Sequence, residues 1–495
     1  MGGYARIFDA TCKDARLLGS ARLARVLGLA ARRASISQQR YERRYEPIWN
    51  EGGTAAALAA FDGAYAHAWR AGAGTPRVMH VIGSLAAGGA ERQLVYLARE
   101  SVRRGLAEAS IVTTHPTTGA GGHYLPLALE GGVRVLHSGA TVDPEAANLL
   151  HRARRTRHLL SLIPLSYRDW CVDLAGEFLR ARPDVVHAWL DHANMWAGIA
   201  ALAVGVPRIV LSTRNVSPSH FPTIDHPDFL PWYRRLARQP HVRLIANSRA
   251  GAEDYAAWMG IDPARFAVVL NGFDPAACAA PGEAELAALR RALGVEGRRV
   301  VLGVFRLADE KQPLVFAEVA ARVLRAVPDA VVLVAGDGPM AGEMARFVRE
   351  LDGAEPNPTG AAGGDAAVTG RLRLLGRRED VPALLAIADV VLHASRQEGT
   401  PNALLEAQAL GCPVVATRGG GTVDAIEDGG SGVLCEVGDV AALEAGVRAL
   451  LGDAALRARM SARARAFVRE RFGLDRMVDD SVAVYRDDGG ARGRR

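Results

Sequence analysis

Between Ser395 and Glu406 the chain reads SRQEGTPNALLE, and two carboxylates, Glu398 and Glu406, bracket a helix start. Thr400 has the side chain of an N-cap and Pro401 suits the first helical position, so the helix is expected to begin there. Its unpaired N–H groups and positive dipole end would then suit a phosphate. Glu406 falls about one and a half turns in, on the face of Asn402. Two carboxylates thus border one anion site. A carboxylate does not favour phosphate, but it accepts two hydrogen bonds from vicinal hydroxyls of a ribose or a hexose. The small apolar neighbours Ala407, Ala409 and Leu410 argue against a plain solvated face.

Carboxylates beside a diphosphate need compensating cations. Arg306 and Lys311, in FRLADEK after an apolar run, are the candidates, since both follow a strand end. Preorganised donors of this kind hold the charge that develops on a leaving group. Metal would be the rival device, yet no D-x-D triplet occurs, and His187 and His192 lack a third ligand, so no metal is expected. Gly88-Gly89, which follow the first strand and open a helix, permit close backbone approach. GDGPMA, residues 336–341, mimics a dinucleotide-binding turn, but the next strand ends without the acidic residue that would hold a ribose; a tight turn with Pro339 at the helix start explains it.

The elements that must position these groups alternate. Strands are expected at 77–83, 109–113, 133–136, 185–188, 208–211 and 243–246, and again at 300–305, 330–335, 371–375, 390–393 and 413–416, with helical patterns between them. Two doubly wound α/β domains in tandem account for this in 495 residues. Residues 276–293 read as a connector, 353–370 as a surface insertion and 462–485 as one or two closing helices. Five scattered cysteines form neither a zinc pattern nor a disulfide framework, and a reducing compartment follows. No run is long enough to span a membrane. Aromatics at 6% argue against a surface that stacks nucleic acid. Of the net charge of +6, residues 1–75 supply +5, from eleven basic and six acidic side chains. Such an arm is either a solvated helical face or a contact with anionic lipid.

Together these loops resemble glycosyltransferase family 4, the retaining family with the GT-B fold: Glu398 to Glu406 as its E-x7-E element, Arg306 with Lys311, Gly336 to Pro339, and Gly88-Gly89. The resemblance covers about Val78 to Tyr485. It implies two Rossmann-like domains facing a cleft, at 76–275 (acceptor side) and 276–470 (donor side). A basic helical extension at 1–75 precedes them, and 471–495 form a helix crossing back to the first domain, with a tail. By the same resemblance Glu406 holds ribose hydroxyls and Glu398 the donor sugar. Gly399, Thr400, Pro401, Asn402, Ala403 and Leu404 present the backbone to the donor, Arg306 and Lys311 grip the diphosphate, and Gly376-Arg377 sit near the base. Members keep the anomeric configuration by a same-face route in which the leaving phosphate helps deprotonate the acceptor.

Two departures stand out. The family's first-domain histidine is replaced within Leu211-Ser212-Thr213-Arg214-Asn215 by Arg214 or Asn215, and a G-G-x-x-E element ends in Asp424. His187, in HAWLDHAN, is placed on the acceptor side, as are Arg214 and Asn215. The function this implies is transfer of a sugar from a UDP- or GDP-linked donor to a glycan or lipid-linked acceptor. It needs no metal or other cofactor and no nucleic acid, and it belongs in the cytoplasm or on the cytoplasmic membrane face. An epimerase of the same architecture, or a non-catalytic sugar-nucleotide binder, are the competing readings.

Overall fold

The computed structural model describes Phe61 and residues 68–72, 74–138, 144–163, 165–221, 224–351 and 370–486. Residues 1–60, most of the basic extension, and 352–369, nearly all of the expected insertion, lie outside the described residues. The chain divides into two compact units. One takes in residues up to Thr213 with Phe221–Ile245 and Ser481–Arg495, the other Arg214–His220 with Ala246–Asp480.

A seven-stranded sheet is ordered β3-β2-β1-β4-β5-β6-β7, with β1 Arg77–Ile82, β2 Glu108–Thr113, β3 Arg134–His137, β4 Val185–Trp189, β5 Arg208–Thr213, β6 Val242–Ala246 and β7 Phe266–Val268. Its ladders from β3 to β5 are parallel. A six-stranded parallel sheet follows in the order β10-β9-β8-β11-β12-β13, from β8 Arg299–Val304, β9 Ala330–Ala335, β10 Leu372–Gly376, β11 Val390–His393, β12 Val414–Thr417 and β13 Gly432–Cys435. The helices used below are α1 Gly89–Arg103, α2 Leu165–Ala181, α3 Asp191–Val204, α4 Arg249–Met259, α5 Pro313–Ala326, α6 Asn402–Ala409, α7 Val440–Gly452 and α8 Leu474–Arg486. The chain has the GT-B architecture of two Rossmann-like folds.

Strands buried on both faces read as unbroken apolar runs, and AVVLVA in β9 is such a run, buried throughout. Successive side chains of one strand enter opposite cores. Val301, Val332 and Val334 pack with Phe316 of α5 and Leu443 of α7, whereas Val300, Leu302 and Val331 pack with Leu404 and Ala407 of α6. Spaced by three, Leu404 and Ala407 share one face of α6 and press it to the sheet, so the amino end of α6 is carried to the carboxyl edge. Strand order reverses between β8 and β11, and the loops leaving these two strands are the ones that bear the expected chemistry.

Three elements differ from the sequence reading. The connector holds a helix, Glu283–Ala292, started by Gly282 and by Glu283 and Glu285 in its first turn, where acids favour the dipole. Strands β7 and β13, of three and four residues, went unread. Residues 246–275 are shared between the two: β7 extends the seven-stranded sheet, as a first domain ending near 275 requires, while by compactness they group with the second unit, where Asp424 Oδ2 accepts from the N–H groups of Arg249 (2.6 Å) and Ala250 (3.3 Å) at the start of α4.

Candidate functional site

The site in the second unit is assembled from backbone outward. After β8 the loop turns through Arg306 and Leu307 to a 3-10 turn at Asp309–Lys311. Its path is set by the 336–338 turn beneath it: Leu307 N–H donates to Asp337 O at 3.0 Å, and Met340 N–H donates to Leu307 O at 2.9 Å. A Cβ on Gly336, whose φ is +154°, would lie 1.9 Å from Phe305 O, so only glycine allows this contact. The expected tight turn is present, although the helix after it begins at Ala341 rather than at Pro339. Gly336 N–H reaches Gly376 O at 2.8 Å, which sets exposed Gly376 and Arg377 next in line along the same edge.

The loop after β11 is held from two sides. Arg396 N–H donates to Glu310 O at 2.8 Å and its guanidinium to Asp309 Oδ2 at 2.6 Å, tying this loop to the Lys311 turn. Gly419, Gly420 and Gly421 lie along its other side, and Gly421 N–H donates to Glu398 O at 2.9 Å. The backbone between these supports delivers Glu398 to a buried position.

Glu398 Oε1 accepts from Lys311 Nζ at 2.5 Å and from His393 Nε2 at 2.8 Å, and Ser395 Oγ lies 2.9 Å from the same imidazole nitrogen. Burial alone would raise this carboxyl's pKa. The Lys311 charge and the His393 hydrogen bond outweigh it and hold Glu398 well below the usual carboxylate range. Ionised Glu398 can only accept, so His393 Nε2 carries the proton toward it. From the sequence alone His393 is simply the last residue of a strand. Its position one step before the loop was the signal that it faces the site.

Arg306 is 65% exposed and pairs with Glu310 Oε1 at 2.5 Å, four residues on. An exposed pair of this kind holds about 0.3–0.5 kcal/mol, so the guanidinium is easily redirected to an anion. Glu406 is half-buried, about one turn past the first residue of α6, while Glu398 lies in the loop before that helix.

The helix start differs in detail from expectation. α6 begins at Asn402, with Pro401 as the N-cap. The Thr400 hydroxyl does not cap it; it donates to Asn247 O at 2.6 Å. Pro401 has no N–H, and Leu404 N–H donates to Pro401 O at 3.1 Å while its side chain is fully buried. Neither offers a donor, which leaves the N–H groups of Asn402 and Ala403 as those of the first turn that suit an anion. Asn402 is oriented by Asn271, which donates to its Oδ1 at 2.8 Å and takes a 2.5 Å hydrogen bond from Arg214.

Two family descriptions match in tandem: "Glycosyltransferase Family 4" over residues 87–277 and "Glycosyl transferases group 1" over 287–467. The chain is 28% identical over 418 residues to the Vi polysaccharide biosynthesis protein VipC/TviE of Salmonella typhi, across 81% of this chain and 70% of that protein. It is 31% identical over 317 residues to the D-inositol 3-phosphate glycosyltransferase of Salinispora arenicola, across 61% of this chain and 68% of the relative. The chain belongs to glycosyltransferase family 4. Its fold superposes on crystalline Alr3699/HepE of Anabaena in complex with UDP at a TM-score of 0.64, with 22% identity over 82% of this chain and 98% of that one.

In this glycosyltransferase, Arg214 and Asn215 sit with the second unit rather than on an acceptor face of the first. Gly399 packs against Arg214 O so closely that a Cβ would come within 2.2 Å. Burial lowers the Arg214 pKa to about 9, and Asn215 Oδ1 accepts from Val216 N–H at 3.0 Å. In the first unit, Gly88 is the N-cap of α1 and Gly89 its first residue, with the Glu91 carboxylate folded back over Gly88. His187 does not line an acceptor surface. It is 1% exposed, stacked on Trp189, and its Nδ1 is 2.8 Å from the Tyr485 hydroxyl of α8.

Arg306→Lys tests the fork geometry. The charge stays, but a lysine cannot offer two parallel N–H groups to a phosphate. About a tenfold loss in kcat/KM is expected with an unchanged unfolding midpoint, because the wild-type side chain is largely exposed. Equal rates for both proteins would remove Arg306 from the diphosphate.

Proposed function

We propose that this glycosyltransferase is a retaining enzyme that takes a hexose from a UDP- or GDP-linked donor to a glycan or lipid-linked acceptor in cell-surface polysaccharide or glycolipid assembly. The observation that carries this reading is the Lys311–Glu398–His393 cluster, fixed between the loops of β8 and β11 beside the amino end of α6. Lys311, Arg306 and the Asn402 and Ala403 N–H groups would meet the diphosphate. Glu406 would take the ribose hydroxyls and Glu398 the donor sugar. The UDP complexes of Alr3699/HepE and the part of the Salmonella relative in Vi polysaccharide biosynthesis support this direction.

Glu398 makes a poor nucleophile and a poor base, because the same charge and hydrogen bond that lower its pKa also stabilise its lone pairs. The donor C1–O bond would therefore break without a protein nucleophile. The acceptor oxygen bonds to C1 on the face the diphosphate leaves, and the acceptor proton passes to a diphosphate oxygen. Cationic side chains and a helix end would neutralise that charge in place of a metal. A cytoplasmic site of action, with residues 1–75 resting on anionic membrane, completes the proposal. Among the described residues no helix is long and apolar enough to cross a membrane.

Turnover of UDP- and GDP-hexoses with extracted glycolipid acceptor, with and without EDTA, tests it. Acceptor-dependent release of nucleoside diphosphate, unaffected by EDTA, is expected. A rate abolished by EDTA and restored by magnesium or manganese would end the metal-free reading, and turnover without acceptor would favour an epimerase.

A further inference from the structure

The first unit has its own reversal of strand order, between β1 and β4, and ligands of doubly wound sheets gather at such points beyond the carboxyl ends of the strands. A run of rings occupies that edge. His115 follows β2 by two residues. His192 stands in the first turn of α3, and Trp196, four residues on, shares its face. Trp170 arrives from the amino-terminal part of α2, which packs along α3. The Trp170 and Trp196 rings stack at 5.0 Å and 17°. His115 lies 5.4 Å from the first and 6.3 Å from the second, and His192 lies 5.5 Å from Trp196.

These side chains are not core. Both tryptophans are only partly buried, and His115 and His192 are exposed, whereas the neighbouring His80, His187 and Trp189 are buried. Each indole covers one face of the other, and the indole surface still in contact with water is costly unless a ligand covers it. We propose that Trp170 and Trp196 form a stacking platform for the apolar face of a saccharide, with His115 and His192 hydrogen-bonding its rim hydroxyls. A pyranose suits this surface because its axial C–H groups present an apolar face while its hydroxyls point outward. Burial, and then the neighbouring His226 and His115 charges, lower the His192 pKa, so at neutral pH the ring both donates and accepts. As the acceptor's place this platform rests on the transferase reading; as a saccharide site it does not.

The test is saturation-transfer NMR on the full chain with methyl α-glucoside, methyl N-acetylglucosaminide and uridine as probes. UDP affinity and the unfolding midpoint are measured in parallel. Saturation should reach the ring C–H protons of at least one glycoside. Trp196→Ala and Trp170→Ala should weaken that glycoside about tenfold, and Trp196→Phe, which keeps a ring, should lose much less. Unchanged UDP affinity in the alanine variants would separate this site from the donor site. If neither glycoside receives saturation, if the alanine variants bind it as the wild type does, or if uridine alone responds to the substitutions, the platform is not a saccharide site. Saccharide binding without UDP-sugar turnover would keep the platform and overturn the proposed reaction.

Discussion

Lys311→Met is expected to lower kcat/KM by about 10²–10³, the effect of losing one preorganised donor to a developing negative charge. The same change is expected to cost about 3–5 kcal/mol of stability, because it leaves a buried carboxylate without its cation. Both effects follow from one atom: Lys311 Nζ is 2.5 Å from Glu398 Oε1, and the two side chains are only 20% and 9% exposed. Urea unfolding read beside initial rates separates them. In Lys311→Met/Glu398→Gln the unpaired charge is gone, so most of the stability should return while the rate stays low. A wild-type urea midpoint in the single variant would show that the ion pair does not hold the site.

The pH dependence follows from the same pair. Glu398 has a folded pKa below its unfolded value of 4.5, so its ionised form favours the folded chain. That contribution is complete above about pH 4.5 and is lost as pH falls through the lower folded value. In Lys311→Met burial is no longer opposed by the lysine, and the folded pKa moves up. The acid limb of the unfolding midpoint should then flatten.

What the sequence made legible was whatever depends on local pattern. Apolar runs place β9 and β11 at their observed limits, and the strand-loop-helix grammar alone puts Arg306, Lys311 and Glu398 at the carboxyl edge of one sheet. Partnership was harder to read. Lys311 and Glu398 are 87 residues apart, and nothing local announces that one neutralises the other. His393 was hidden by its strand, and Thr400 by its capping chemistry, since a threonine before a proline suits an N-cap equally well when its hydroxyl is engaged by a distant carbonyl. His187 misled for the converse reason: a histidine in a strand end has the chemistry of a site, yet β4 turns this one into the interior beside Trp189 and Tyr485.

The second large effect comes from a residue with no side chain. Gly421→Ala is expected to lower kcat/KM by about a hundredfold, since a shift near 1 Å in a positioning loop costs about that much. Gly421 has φ −71° and ψ 3°, open to any residue, so backbone strain is not the cause. Contact is: an added Cβ would lie 1.9 Å from Gly399 O and 2.6 Å from Ser248 Oγ. Gly399 cannot retreat, because a Cβ-sized space on its other side is already taken by Arg214 O. The loop must therefore move along its length, carrying Glu398 away from Lys311 and breaking the 2.9 Å bond from Gly421 N–H to Glu398 O. Overpacking of this kind costs about 1–3 kcal/mol. Gly342→Ala is the control: it sits in the helix Ala341–Leu351 with open space around it, and should stabilise by about 0.5–1 kcal/mol without changing the rate. If Gly421→Ala turns over like Gly342→Ala, the glycine run does not set the position of the Glu398 loop, and Lys311 and His393 must hold Glu398 in place without it.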